Sequence, residues 1–134
     1  MANELILIVE DNAQNRKLAR DFLQVHGYRT IEAETAEDGL TLAAERAPDL
    51  VLMDIHLPGM SGIDALAKLR ATPATRAIPV LAFTASVMPK DRSVIMAAGF
   101  DALVSKPVNL ETFLATVATV LAQRRARAGP GKPT

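Results

Sequence analysis

The chain has no cysteine, and this absence excludes disulfide bonds, thiolate metal sites and thiol catalysis. It also has no net charge, because fifteen basic residues balance fifteen acidic ones, so no overall field directs it toward nucleic acid or an anionic membrane. No apolar run approaches the length of a membrane span. The first residues lack the basic segment and apolar core of a signal peptide. We therefore expect a cytoplasmic protein that binds neither nucleic acid nor membrane.

The 134 residues are 49% hydrophobic and 22% charged, which is the composition of one globular domain with a substantial core. Short apolar runs bounded by turn residues predict β-strands, and those rich in apolar residues throughout are typical of strands buried on both faces. The predicted strands are residues 5–9, 28–33, 50–53, 80–83 and 101–104.

Helices are predicted between and after these strands. The residues predicted to cap helix N-termini are Asn12, Thr35 and Asn109. Leu18, Phe22 and Val25 form the predicted apolar stripe of the first helix. Five strands alternating with five helices, joined by right-handed crossovers, predict an α/β fold with a doubly wound parallel sheet. We expect this domain to span residues 1–122, and residues 123–134, which are basic and contain Gly and Pro, to form a disordered tail.

Four of the five predicted strands end in residues that carry chemistry: Glu10 and Asp11, Asp54, Thr84, and Lys106. In open α/β sheets, ligands bind outside the carboxyl ends of the strands. Clustered carboxylates repel one another unless a cation intervenes, and oxygen ligands of this kind suit Mg²⁺. A lysine and a hydroxyl beside that site could bind phosphoryl oxygens, and a carboxylate nucleophile can accept a phosphoryl group. The pattern predicts phosphoryl chemistry centred on Asp54.

Four segments carry a resemblance to a known family. They are Ile8-Val-Glu-Asp-Asn12, Leu52-Met-Asp-Ile-His-Leu-Pro-Gly-Met-Ser-Gly62, Phe83-Thr-Ala85 and Ser105-Lys-Pro107. In this order and spacing they resemble the receiver domain of two-component response regulators, over about residues 4 to 122. The resemblance implies a flavodoxin-like fold with strand order 2-1-3-4-5. The chain is similar to single-domain receivers of the chemotaxis and cell-cycle type.

The resemblance also implies a role for each site residue. Asp54 would be the phosphoacceptor, and Mg²⁺ would be held by Asp11, Asp54 and the backbone carbonyl of His56, with Glu10 acting through water. Thr84 would contact the phosphoryl group, Lys106 would form the charge pair, and Lys106–Pro107 would be a cis peptide bond.

The implied partners are a histidine kinase or histidine phosphotransfer protein as the phosphoryl donor, and a downstream protein bound at the face of the fourth helix, fifth strand and fifth helix. The protein would catalyse only its own phosphorylation and dephosphorylation, and would not otherwise be an enzyme.

Two positions depart from the family pattern. Leu103 stands three residues before Lys106, where the family usually has Tyr or Phe that moves inward when the hydroxyl engages the phosphoryl group. His56 stands two residues after Asp54, beside the path of an attacking water. These departures leave the size of the conformational switch and the lifetime of the phosphoryl group open.

Three other functions compete with this interpretation. A Mg²⁺-dependent phosphohydrolase of the haloacid-dehalogenase type also uses a strand-end Asp, a hydroxyl and a Lys, but it usually needs a second Asp where this chain has His56. A flavin- or dinucleotide-binding domain would have a glycine-rich loop after the first strand, where this chain has carboxylates. A receiver-like scaffold that is never phosphorylated would not need the complete acid, Thr and Lys set.

Overall fold

The computed structural model describes residues 3–85, 89–106 and 109–128. Its elements in chain order are β1 (Leu5–Val9), α1 (Ala13–Val25), β2 (Arg29–Ala33), α2 (Ala36–Arg46), β3 (Leu50–Asp54), α3 (Gly62–Ala71), β4 (Val80–Thr84), α4 (Pro89–Ala97), β5 (Ala102–Ser105) and α5 (Leu110–Ala128). The strands form one parallel sheet in the order β2-β1-β3-β4-β5. The predicted doubly wound fold and its flavodoxin-like strand order are therefore confirmed.

Each face of the sheet packs against its own set of helices. The central strands β1, β3 and β4 are buried along their whole length, which explains their continuous apolar runs. One core lies between the sheet and α1 and α5, where Leu23 and Phe113 are fully buried. The other lies between the sheet and α2, α3 and α4, where Ala43, Leu66 and Ile95 are buried. Because the sheet is packed on both faces, the backbone positions at the ends of its strands are fixed, and so are the starting points of the side chains there.

The predicted N-caps are confirmed by their hydrogen bonds. The side-chain oxygen of Asn12 accepts from the backbone N–H of Asn15 at 2.9 Å, and the hydroxyl of Thr35 accepts from the N–H of Asp38 at 3.1 Å. The side chain of Asn109 accepts from the N–H of Thr112 at 3.0 Å. Each side chain replaces a carbonyl that the first turn of a helix lacks.

The predicted apolar stripe of α1 is wrong in part. Ala19 and Leu23 are the buried residues of this helix, whereas Val25 is 80% exposed and Leu18 is 37% exposed. The small side chain of Ala19 allows the helix to approach the sheet closely, so the buried face is rotated relative to the predicted one. Phe22, the third residue of the predicted stripe, is half-buried and packs against the core, so the helical spacing of large apolar residues identified only part of the buried face.

The last helix, α5, continues to Ala128, so its end lies within the segment that we expected to be a tail. Alanine and arginine favour helix in this segment. Arg124 also donates to the carbonyl oxygen of Asp49 at 2.9 Å and to its carboxylate at 3.1 Å, which fixes the extension against the sheet. Residues 129–134 and Pro107, with the predicted cis peptide bond, lie outside the described residues. Within the described ranges, no helix combines the length and apolar character needed to cross a membrane.

Candidate functional site

Three charged side chains from different strands meet at the carboxyl edge of the sheet. Lys106 Nζ lies 2.7 Å from Glu10 Oε1 and 3.3 Å from Asp54 Oδ2. The Glu10 side chain is fully buried and the Asp54 side chain is 4% exposed. One ammonium group is thus the shared counter-ion of two buried carboxylates.

The alternation of side chains along the strands explains why these three meet. Each stands two positions after a core residue that faces α1 and α5: Ile8, Leu52 and Val104. Thr84 follows Ala82, which faces the opposite core with α2, α3 and α4. The structure therefore brings Glu10, Asp54 and Lys106 into direct contact and places Thr84 at the other face of the same edge.

The backbone after β3 fixes the orientation of Asp54. Its Oδ1 accepts from the N–H of His56 at 3.0 Å, which leaves Oδ2 toward Lys106. The loop then folds back so that the N–H of Gly62 donates to the carbonyl of Ile55 at 3.0 Å. A Cβ at Gly62 would overlap the Asp54 carbonyl oxygen and lie 2.9 Å from Ile55 Cα, so only glycine fits there. The turn residues thus position the strand-end carboxylate.

Glu10 is held by one backbone donor and one ammonium group. Its Oε2 accepts from the N–H of Asn12 at 2.9 Å. Its Oε1 is buried and, within the described part of the chain, meets no donor besides the ammonium group of Lys106. Burial raises the pKa of the Glu10 carboxyl and outweighs the hydrogen bonds from Lys106 and Asn12, which lower it; the nearby charge of Asp54 raises it further.

The carboxylates of this edge can be brought onto one metal ion. One oxygen each from Glu10, Asp11 and Asp54 lies within 4.8 Å of the others, and Asp11 is exposed to solvent. An oxygen-only donor set with a solvent-facing side fits Mg²⁺, which retains several water ligands. Glu10 Oε1 contacts the ammonium group of Lys106 at 2.7 Å, and its second lone pair could accept from a metal-bound water. These residues together are called the acidic cluster below.

Lys106 is fixed at both ends of its side chain. Its backbone N–H donates to the Thr84 carbonyl at 2.8 Å, which joins the end of β5 to the end of β4. Its ammonium group lies 4.8 Å from the centroid of the Phe83 ring, a cation–π contact. The ammonium position is therefore set by the neighbouring strand as well as by the carboxylates.

Thr84 is completely buried and lines a cavity of about 180 Å³ between the β3–α3 loop and α4. The other lining residues are Ile55, His56, Ile63, Asp91, Val94 and Ile95. His56 itself is exposed, so its side chain lies at the mouth of the cavity. Thr84, the predicted contact of the phosphoryl group, and His56, which departs from the family pattern, therefore line the same cavity beside the acidic cluster.

Sequence reasoning missed two groups near the site. Asp91 of α4 lines the cavity with Thr84, and no motif in α4 indicated it. Arg16 of α1 contacts the carbonyls of Glu10 and Asp11. A signal for Arg16 was present in its spacing, because a residue four positions after the N-cap can reach back over the first turn.

Comparison with known proteins gives the chain a family. Residues 6–118 match the model of the response regulator receiver domain. The polar-differentiation response regulators DivK of Brucella ovis and Brucella melitensis are 41% identical over 116 residues, which is 87% of this chain and 94% of theirs. These matches do not support the phosphohydrolase alternative.

Solved structures agree with this assignment. A response regulator from Chloroflexus aurantiacus has a TM-score of 0.85 at 26% identity and covers 90% of this chain and 98% of its own. The receiver domain of a Pseudomonas aeruginosa sensor histidine kinase, solved with magnesium in its active-site cleft, has a TM-score of 0.78 at 29% identity, covering 90% and 96%. The chain therefore belongs to the family of response regulator receiver domains of two-component signalling.

Proposed function

We propose that this protein accepts a phosphoryl group on Asp54 from the phosphohistidine of a histidine kinase or a histidine phosphotransfer protein. The observation that carries the proposal is the position of Asp54: a strand-end carboxylate with one oxygen bound to a backbone N–H and the other beside Lys106, within a cluster of carboxylates. Such a group is held in one orientation and has a cation next to the oxygen that would react.

In the proposed reaction, an Asp54 oxygen forms a bond to phosphorus while the phosphorus–nitrogen bond to the donor imidazole breaks. The imidazole leaves with the electron pair. Negative charge spreads over the equatorial phosphoryl oxygens as this occurs, and preorganised cations and donors stabilise it. Lys106 is positioned to contact one of these oxygens, since its ammonium group already lies 3.3 Å from Asp54.

We propose that Asp11, Asp54 and the backbone carbonyl of His56 hold a Mg²⁺ ion and that Glu10 contacts it through water. Bound Mg²⁺ would neutralise charge between the acceptor carboxylate and the incoming phosphoryl group. Glu10 is oriented for its role by the N–H of Asn12, which leaves the second carboxylate oxygen toward the cluster. The cation would relieve the repulsion among the carboxylates that a single ammonium group leaves.

The phosphoryl group would then alter partner binding through Thr84. It adds about −1.5 to −2 charges and strong acceptor oxygens beside the cavity that Thr84 lines. Movement of the Thr84 hydroxyl toward these oxygens would change the contacts of α4, which closes the same cavity through Ile95. Val94 and Met96 of α4 are 57% and 40% exposed, and they support the proposal that a downstream protein binds the face of α4, β5 and α5.

Phosphorylation can be tested with the small donor acetyl phosphate. Wild-type protein with Mg²⁺ should gain one acid-labile phosphoryl group by intact mass, and removal of Mg²⁺ with a chelator should prevent this. Asp54→Asn should not be labelled although it folds, whereas Asp64→Asn, which changes an exposed aspartate in α3, should be labelled like wild type. Labelling of Asp54→Asn at the wild-type rate would refute the proposed acceptor.

A further inference from the structure

The side chain of Arg16 lies against the turn that carries the acidic cluster. Its Nη1 donates to the carbonyl oxygen of Glu10 at 2.8 Å and contacts that of Asp11 at 3.3 Å. The side chain is only 15% exposed. One guanidinium group therefore holds the backbone of two residues whose carboxylates belong to the cluster.

The same guanidinium group is anchored to the neighbouring strand. Its Nε donates to Glu32 Oε1 at 3.3 Å, in β2, and its Nη2 lies 3.9 Å from Glu34 Oε2. The backbone of the turn meets β2 as well, because the N–H of Glu10 donates to the carbonyl of Ala33 at 3.0 Å. The rigid fork of an arginine can bridge such groups in a fixed geometry, which a lysine cannot do.

We propose that Arg16 is a positioning residue for the divalent cation: it clamps residues 10–12 to β2 and so fixes the direction of the Glu10 and Asp11 carboxylates. The inference rests on the proposed function, since it assigns a role at the proposed Mg²⁺ site. Groups that orient metal ligands typically change metal affinity by about 10- to 100-fold when they are removed.

The direction of the change in Mg²⁺ affinity distinguishes a positioning role of Arg16 from an effect of its positive charge. Removal of a positive charge near the cluster lowers repulsion of Mg²⁺ and should tighten binding. Loss of a clamp should weaken it. Arg20 provides a matched control, because it lies one turn later on α1 and pairs with the same carboxylate, Glu32, at 3.0 Å. Among the described residues its other ion pair is with Asp21, so it does not contact the turn.

The experiment compares Mg²⁺ binding by wild type, Arg16→Gln, Arg16→Lys and Arg20→Gln, measured from amide chemical shifts at constant ionic strength. We expect Arg16→Gln to bind Mg²⁺ about tenfold more weakly, and Arg16→Lys to be weakened as well, although its charge is kept. Arg20→Gln should bind as tightly as wild type or slightly more tightly. Thermal unfolding of both Gln variants measures their structural effect separately.

A second measurement uses the metal-free protein. The N–H of Asn12, bonded to Glu10, should exchange with solvent several-fold faster in Arg16→Gln and at the wild-type rate in Arg20→Gln. Equal Mg²⁺ affinity and equal Asn12 exchange in the two Gln variants would overturn the role of Arg16 while leaving the metal site intact. If wild type itself bound no Mg²⁺, the proposed metal site would fall, and the positioning role with it.

Discussion

The two ends of the sheet both carry aspartates, but they use them in opposite ways. At the amino end, Asp49 precedes β3 and Asp101 precedes β5, and each replaces a missing strand partner. The N–H of Asp101 donates to the Val80 carbonyl at 2.9 Å, and the Val80 N–H returns a bond to the Asp101 carboxylate at 2.8 Å. Asp49 and Leu5 form the same reciprocal pair, with bonds of 2.7 and 2.8 Å.

Each amino-end aspartate also has its own arginine. Asp101 pairs with Arg70 at 3.1 Å, and Asp49 pairs with Arg124 at 3.1 Å. Both of these carboxylates therefore have a cation and a backbone donor. At the carboxyl end, Glu10 and Asp54 share the ammonium group of Lys106, and the exposed carboxylate of Asp11 lies close to both. Each of the two amino-end aspartates therefore has a cation of its own. At the carboxyl end the carboxylates of the acidic cluster outnumber the cation beside them, and a metal ion could supply the missing positive charge. This difference separates the aspartates that join strands from the carboxylates that we propose to act in metal binding and phosphoryl transfer.

The largest effect is expected from Lys106→Met, which removes the ammonium group but keeps an apolar chain over Phe83. Two buried carboxylates would then lose their shared cation, and without Mg²⁺ the free energy of unfolding should fall by about 3 kcal/mol. Added Mg²⁺ should restore stability, and should bind at least as tightly as to wild type because it no longer competes with the ammonium group. Urea denaturation with and without Mg²⁺ measures both effects.

Lys68→Met is the control for Lys106→Met, since Lys68 is exposed on α3. It should change neither stability nor its dependence on Mg²⁺. If Mg²⁺ did not restore the free energy of unfolding of Lys106→Met, the variant would be destabilised by lost packing of the lysine side chain and not by lost positive charge.

At the amino end, Asp101→Ala should reduce the free energy of unfolding by about 2 kcal/mol, because it leaves the Val80 N–H and one side of Arg70 without an acceptor. This loss should be the same with and without Mg²⁺. Asp49→Ala should have a smaller effect, since the Asp49 side chain is 38% exposed and that of Asp101 is 22% exposed. Recovery of Asp101→Ala by Mg²⁺ would contradict the division between the two ends.

A smaller effect of opposite sign is expected from Asp54→Asn. The substitution removes one of the mutually repelling carboxylates, while Lys106 keeps Glu10 as a partner at 2.7 Å. The metal-free protein should therefore gain stability, on the order of 0.5 kcal/mol, because the relief of repulsion is partly offset by the lost contact between Asp54 and Lys106, and it should lose its response to Mg²⁺. Asp101→Asn, the same change at the amino end, should be destabilising. Destabilisation of similar size in both variants would remove the distinction.

The sequence predicted the carboxyl end much better than the amino end. Glu10, Asp54 and Lys106 could be placed together because parallel strands end at one edge, and the contacts at 2.7 and 3.3 Å agree with that. The role of Asp49 could not be predicted, since nothing local in the sequence shows that its carboxylate accepts from Leu5, 44 residues earlier. Such roles depend on strand register, which the sequence does not state directly.

The face of a helix was harder to predict than the end of a strand. Strand alternation has a period of two, so Phe83 and Thr84 had to face opposite sides of the sheet, although only the register of β4 against β3 shows that Phe83 pairs with Asp54. In α1, by contrast, Leu18 and Val25 are exposed although they are large and apolar, while the small Ala19 is buried beside Leu23. The limit of α5 was missed because Arg124 gains its partner from a distant part of the chain.

The smallest effect concerns how a change at the carboxyl end spreads along β5. Leu103 pairs in register with Ala82 of β4 and packs, half-buried, against the core that contains Ile95. The resemblance described above implies an aromatic residue there, and leucine has no hydroxyl to exchange between solvent and a buried acceptor. Its inward and outward rotamers should therefore differ little in energy, and a ligand shifts a two-state equilibrium only by its differential affinity for the states.

We therefore predict that Leu103→Tyr enlarges the amide-shift difference between free and beryllofluoride-bound protein in α4 and β5, with a stability change below about 1 kcal/mol because the site is only half-buried. Leu103→Met, which keeps a flexible apolar side chain, is the matched control and should behave like wild type. The amino end, including Asp101, should show no shift in any variant, because its carboxylates keep their partners. If wild type already gave the full amide-shift difference of the Tyr variant, the prediction would be wrong. Leucine would then transmit the change from the site to α4 and β5 as well as an aromatic residue does.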